Sequence, residues 1–319
     1  MKLKKTLFFH VGWPKCLSLS LQYSLAHKVT KDKNYALITV GIQNLPKSNR
    51  IIEITRYTRP YDVSHDIVSL AESFSNLIDS IDADNIIISN EVFFHYPHKD
   101  LTFLFDSLSK NFHNSKMLII CRNQKDFLIS QYGEWSIKCN ALGSFGFFIR
   151  LQGLLQNCSL SVWHKLVEKN KQTLFLEDPN IYSKLSTFFE FTVKLPHKNK
   201  SHSLGAIQFA AMENLFINQA IGLNDAQKEI FWNDLFKKNK KSINNILGNS
   251  VYGIASSNDI EVINNHFKKT NLDLNVRYKG LIPKEFFERF DKKVPTKSLS
   301  GKQVASLRKI LTQHIQSLI

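Results

Sequence analysis

Residues 6–25 read TLFFHVGWPKCLSLSLQYSL. The apolar run of Leu7, Phe8, Phe9 and Val11 has the pattern of a buried strand. It is cut by Gly12-Trp13-Pro14-Lys15, after which serines alternate with leucines in a helical segment. A strand that ends in a Lys-bearing turn and then enters a helix gathers free backbone N–H groups, the positive end of a helix dipole and an ammonium at one point. That point suits an anion. Ser18 and Ser20 add hydroxyl donors, and open α/β sheets bind ligands at the carboxyl ends of their strands. The triphosphate-wrapping pattern GxxxxGK[ST] is absent. Lys15 follows only three residues after Gly12 with no Gly before it, so the loop is shorter than one built for ATP.

Outward from this stretch, short apolar runs alternate with helix-period segments over the first 180 residues. Strands are expected at 7–11, 36–40, 86–89, 117–121 and 173–176, several of them apolar on both faces as a covered parallel sheet requires. Between them, Ile67, Leu70, Phe74, Leu77, Ile78 and Ile81 share one helical stripe, and Leu101, Leu104, Phe105, Leu108 and Phe112 another. This is βαβ grammar, an α/β fold with a central parallel sheet flanked by helices. Beyond Lys194 the strand signal fades and helices are expected at 204–220, 225–238 and 302–319. The expectation is a single domain, with an α/β core over 1–195 and a helical subdomain over 196–319, joined near LPHKNKSHS (195–203).

With 319 residues, 43% hydrophobic and 12% aromatic, the chain is long enough to bury a full core. No apolar run reaches the roughly 20 residues that span a bilayer, and the start MKLKKTLFFHVGWPK meets Pro and Lys too soon for a signal peptide. A cytoplasmic location is the default expectation. The cysteines Cys16, Cys121, Cys139 and Cys158 have no CxxC spacing, which argues for reduced thiols. No HExxH or carboxylate cluster suggests a metal. The net charge of +15 fits an anionic partner. It fits equally a lysine-rich solvated surface, since the densest runs, PHKNK (196–200) and FKKNKKS (236–242), read as loops or helix ends.

Two stretches together resemble the sulfotransferase family. FHVGWPKCLSLSLQ (9–22) looks like its 5'-phosphate-binding loop, in which a strand runs into Pro-Lys, a small residue and hydroxyls opening a helix, with Gln a turn later in many bacterial members. KMLIICRNQKDFLISQYGEW (116–135) resembles its 3'-phosphate segment, a buried strand followed by Arg and, eight residues on, Ser; Arg122 and Ser130 fill those positions. A guanidinium fork and a hydroxyl together can clamp a phosphate dianion. TLFLEDPNIYSKLSTFFEF (173–191) is a weaker third likeness, and the resemblance covers roughly the first 200 residues.

The resemblance implies a P-loop-like three-layer fold and 3'-phosphoadenosine 5'-phosphosulfate (PAPS) as sulfuryl donor, with the 3',5'-bisphosphate (PAP) as product and no metal. Lys15 would meet the charge developing on the leaving phosphate oxygen. The loop Lys15, Cys16, Leu17, Ser18, Leu19 and Ser20 would hold the 5'-phosphate, and Arg122 and Ser130 the 3'-phosphate. The acceptor hydroxyl needs a base. Some carbohydrate-acting members use a Glu, and Glu91 falls at the end of the strand in NIIISNEVFFHYPHKD (85–100), where an apolar pocket beside Phe93 or Phe94 would raise its pKa; His95 and His98 compete with it. His10 reads as a core residue or one set behind the site. The implied acceptor is a glycan or glycolipid hydroxyl, reached by peripheral contact if membrane-bound, and nucleic acid is not expected.

The chain departs from the family at Leu17 and Leu19, where a small residue and a second hydroxyl are usual. Leu17 reaches left-handed backbone geometry only at a cost, and its side chain could obstruct the phosphate. Either it turns away and the loop still binds, or the protein is a noncatalytic relative. A thiol of lowered pKa at Cys16, beside Lys15, is conceivable without a His partner in view. A basic nucleic-acid-binding module is the remaining rival, weakened because most Phe residues fall on core-like stripes.

Overall fold

The computed structural model describes residues 4–13, 16–40, 45–46, 48–54, 67–138, 144–151, 159–160, 171–194, 203–223, 225–248, 253, 255–278, 280–295 and 297–318. Among these, six strands, β1 (Lys4–Gly12), β2 (Tyr35–Val40), β3 (Ile51–Ile54), β4 (Asn85–Asn90), β5 (Phe112–Cys121) and β6 (Lys171–Phe175), form one sheet in the order β3-β2-β4-β1-β5-β6. Every pairing is parallel. The chain is thus of the α/β class expected from its alternating runs.

The twelve helices of the described residues are α1 (Ser18–Lys31), α2 (Ile67–Ser80), α3 (His98–Ser109), α4 (Gln124–Ile137), α5 (Phe145–Leu151), α6 (Ile181–Phe189), α7 (Leu204–Ala220), α8 (Asp225–Lys238), α9 (Lys240–Leu247), α10 (Ser257–Arg277), α11 (Lys284–Asp291) and α12 (Gly301–Gln316). Two compact units result. The first comprises Met1–Asn123, Ser159–Lys198 and Thr270–Phe287, and the second Gln124–Cys158, Asn199–Lys269 and Glu288–Ile319. The helical unit therefore includes α4 and α5, which lie between strands in sequence.

In the first unit β1 is central and buried from Thr6 onward. Its successive phenylalanines face opposite sides of the sheet, as strand periodicity requires. Phe8 packs edge-on to Phe188 of α6 at 5.8 Å, while Phe9 stacks on Phe93 at 5.1 Å and meets Phe105 of α3 at 5.8 Å. Each such burial is worth roughly 1.5–3 kcal/mol. Covering both faces explains why β1, β4 and β5 are apolar without alternation.

Two details depart from the sequence expectation. Phe112 continues the spacing of the α3 stripe, yet the helix ends at Ser109, Asn111 N–H turns back to Leu108 O at 3.1 Å, and Phe112 opens β5. The edge strand β3 was not foreseen. It has four residues, too few to stand out from its surroundings, and it gains definition only by pairing with β2.

The second unit has its own core, with Phe209, Ala210 and Ile217 of α7, Trp232, Leu235 and Phe236 of α8, and Leu307 and Leu311 of α12. Ser203 caps α7 by accepting from Ala206 N–H, and Ser300 with Gln303 forms a capping box on α12. Lys125 of α4 donates to Phe290 O at 3.1 Å and Lys292 O at 2.8 Å, setting an ammonium on the negative end of α11. The lysine run 237–241 lies on α8 and α9, where Lys238 pairs with Asp234 at 2.7 Å. The run at 196–200 lies outside the described residues.

Candidate functional site

Strand order decides where a ligand would sit. From β1 the chain moves to β2 on one side of the sheet, and from β5 it moves to β6 on the other, so the crevice between the carboxyl ends of β1 and β5 is a topological switch point. The register places Gly12 against Ile120 and Val11 against Asn90. The ends of β4, β1 and β5 therefore stand side by side, carrying Glu91, the loop after Gly12, and Arg122. With strands about 4.8 Å apart, the backbones of Glu91 and Arg122 flank β1 at roughly 10 Å.

At the end of β1, Trp13 N–H extends the ladder to Ile120 O at 3.0 Å, and Trp13 itself is buried edge-on to Phe94 at 5.6 Å. Pro14 and Lys15 lie outside the described residues, as do the side chains of Leu19 and His95. The chain resumes at Cys16, whose N–H turns back to Trp13 O at 3.1 Å. Leu17 then takes φ 66°, ψ 3°, the left-handed region, and no side chain caps α1. The conformation that costs a leucine most is the one this loop uses. Leu17 is half-buried.

Ser18 opens α1 with its hydroxyl buried, 2% of the residue exposed, and with no hydrogen-bond partner among the described residues. A buried hydroxyl normally has a partner. Its Oγ lies 2.5 Å from where a Cβ on Gly12 would stand. Glycine is thus what admits this side chain to the strand end. His10 Nε2 lies 3.1 Å from the same point and is likewise buried without a partner, while its Nδ1 shares a 2.8 Å hydrogen bond with Ser89 Oγ of β4. Complete burial lowers the His10 pKa to about 3, so the ring is neutral. Gln22 donates to Ser89 O at 2.9 Å, tying α1 to β4.

Cys16 is fully buried, and that burial pushes its thiol pKa well up against the opposing pull of Arg122; Cys121, Glu177 and Glu91 push it further. The conceivable low-pKa thiol is therefore corrected: desolvation outweighs the pull of Arg122. The same influences put Arg122, Glu91 and Glu177 within electrostatic reach of Cys16. Arg122 is half-buried, and the next residue is pinned, since Asn123 N–H donates to Glu177 Oε1 at 3.0 Å and Asn123 Nδ2 to Phe286 O at 2.9 Å. Ser20 is buried on α1. Ser130 is half-buried on α4, which belongs to the second unit, whereas Arg122 belongs to the first.

Glu91 is solvent-exposed at the end of β4 and precedes the 3-10 turn Val92–His95, in which Phe93 and Phe94 are buried. Its position is as expected, but its surroundings are corrected. Phe93 and Phe94 turn into the core, so they do not form an apolar pocket around Glu91, which is exposed. His10, Gly12, Gln22 and Glu177 had not been assigned to the site from sequence. Gly12 and Gln22 stood within the loop motif itself; His10 and Glu177 gave no separate signal.

Among the described residues no three His, Cys, Asp or Glu gather as metal ligands, and no helix is long and apolar enough to cross a membrane. No family model matches the chain, and no curated protein matches it. Among solved structures it is similar to a sulfotransferase from Alicyclobacillus acidocaldarius, at 15% identity and a TM-score of 0.36 over 70% of this chain and 93% of that one.

Proposed function

We propose that the chain is a sulfotransferase that moves a sulfuryl group from PAPS to an acceptor hydroxyl. The observation that carries this reading is the buried Ser18 hydroxyl, without a hydrogen-bond partner among the described residues, at the start of α1 and at the switch point of the sheet beside β5, which Arg122 follows. A hydroxyl desolvated without a partner costs about 1–3 kcal/mol, and a phosphate oxygen at this helix start would relieve it. Ser18, Ser20 and the loop amides hold the 5'-phosphate, while Arg122 holds the 3'-phosphate. Lys15 meets the charge that develops on the leaving oxygen. Glu91, one strand over from the loop, takes the acceptor proton.

The acceptor we favour is a glycan or glycolipid hydroxyl. Nucleic acid is a poorer fit: Lys28, Lys116, Lys138, Lys184, Lys238 and Lys268 each pair with a carboxylate rather than standing as a bare cationic surface. A second reading, a nucleotide-binding relative without transfer, draws on Leu17, a bulky residue held in left-handed backbone at the turn into α1. Incubation with sulfur-labelled PAPS and a panel of glycans separates the two. Label transferred to a glycan, and lost in Glu91→Gln, supports the enzyme; PAP binding without transfer to any hydroxyl acceptor supports the binder.

A further inference from the structure

We infer that Glu177 is a positioning residue of the donor site: from the end of β6 it fixes the direction in which Arg122 leaves the backbone toward a 3'-phosphate. The inference deepens the donor-site reading given above and rests on it for its ligand. Arg122 stands between two peptide planes, and both are held. Before it, Cys121 O accepts from Leu176 N–H at 2.9 Å. After it, Asn123 N–H donates to Glu177 Oε1 at 3.0 Å. Because each peptide is planar, holding the one before and the one after a residue leaves its Cα–Cβ bond little freedom of direction. Only the side-chain torsions of Arg122 remain for a ligand to order, which lowers the entropic cost of binding.

The surroundings of this contact are built to keep it. Asn123 is fully buried and its Nδ2 donates to Phe286 O at 2.9 Å, while the Phe286 ring meets Phe175 of β6 edge-on at 5.3 Å. Glu177 reaches Asn123 from a turn in which Asp178 N–H returns to Phe175 O at 3.0 Å. The neighbouring carboxylate serves a different element: Asp178 pairs with Lys184 at 2.5 Å and accepts from Asn180 N–H at 2.8 Å, at the start of α6. A negative charge at Glu177 works against an anion, for it lies within electrostatic reach of Cys16 in the loop proposed for the 5'-phosphate. Its contribution is therefore position rather than charge. An amide oxygen at the same reach would hold Asn123 and repel nothing; a carboxylate one methylene shorter would repel and not reach.

Calorimetric titration of the full chain with PAP and with AMP reads the contribution of the 3'-phosphate as the ratio of the two affinities. Glu177→Ala and Glu177→Asp, neither of which reaches Asn123, are expected to weaken PAP binding about 3- to 10-fold, the size of one hydrogen bond, and to leave AMP binding unchanged. Glu177→Gln is expected to keep the wild-type ratio. Equal losses for PAP and AMP, an unchanged ratio in Glu177→Asp, or Glu177→Gln as weak as Glu177→Asp overturns the inference. Should Glu177→Ala not fold, the Asp and Gln variants carry the comparison. Amide hydrogen exchange at Asn123 gives a readout without nucleotide: it should be faster in Glu177→Asp than in wild type or Glu177→Gln, and equal rates in all three contradict the contact. Arg122→Ala separates the two claims. If it abolishes the preference for PAP over AMP while Glu177→Ala and Glu177→Asp keep it, the donor site stands and the positioning role falls. If the wild type shows no such preference, or Arg122→Ala leaves it intact, the donor-site reading falls and the inference with it.

Discussion

Ser18 Oγ occupies a position 2.5 Å from where a side chain on Gly12 would begin, so the last residue of the central strand is glycine because the first hydroxyl of the following helix needs its place. Strand end, turn and helix start are thereby one steric unit. Gly12→Ala must displace Ser18 or the strand, an overpacking that costs about 1–3 kcal/mol. The expected outcome is a lower melting temperature together with PAP binding weakened at least ~10-fold. Adding Ser18→Ala to it should recover stability but not affinity. Recovery of both would mean that the hydroxyl has no part in binding.

Leu17 carries the strain of this unit. Left-handed backbone costs a leucine about 1–2 kcal/mol, whereas glycine pays nothing there but loses about 0.5–1 kcal/mol through its freer unfolded chain. The two effects nearly cancel. Leu17→Gly should therefore unfold in urea within about 1 kcal/mol of wild type, while Leu17→Val, β-branched in the same region, should be clearly less stable. A loss of ~2–5 kcal/mol in Leu17→Gly, as for a packed core leucine, would show that side-chain burial rather than backbone strain dominates at this position.

The burial of His10 gives stability a distinctive pH dependence. Its folded pKa of about 3 lies below the ordinary 6.5, so the unfolded chain binds the extra proton between those values. The stability of the neutral buried ring is fully present above pH 6.5 and is lost as pH falls toward 3, at about 1.4 kcal/mol per pH unit. Urea unfolding of wild type and His10→Gln between pH 7 and 4.5 checks this: the variant should show the shallower decline. Parallel profiles would mean that His10 takes up its proton equally in the folded and unfolded chain and is not held neutral by burial.

How far all this could be read from sequence depended on what each residue's role required. The apolar runs of β1, β4 and β5 were legible because both sheet faces are covered. The loop from Gly12 to Ser20 raised the expectation of an anion site through residue types alone, and that expectation is now part of the proposal. Phe112 was misleading because a helical period can continue by coincidence past a turn, and only the Lys110-Asn111 reversal ends it. His10 was hidden for a different reason: one histidine in an apolar strand looks like packing until Ser89, 79 residues away, is brought to its Nδ1. The left-handed Leu17 could not be read as such, since leucine does not signal that conformation.

The proposed chemistry divides between Lys15 and Glu91. Glu91→Gln should leave PAP affinity intact while transfer falls roughly 10²- to 10⁴-fold, the range of a lost general base. Lys15→Ala should abolish transfer through loss of charge stabilisation on the leaving oxygen. Steady-state transfer rates beside PAP titrations test both. Full activity in Glu91→Gln would move the base elsewhere, to His95 or His98 first.

The most direct test of the donor site is calorimetric titration of the full chain with PAP, AMP and ATP in parallel, repeated with Arg122→Ala. The account predicts that PAP binds selectively, because Arg122 reads its 3'-phosphate, and that Arg122→Ala loses about 10- to 100-fold of that affinity and the preference over AMP. No binding of PAP, or equal binding of all three nucleotides, would contradict it.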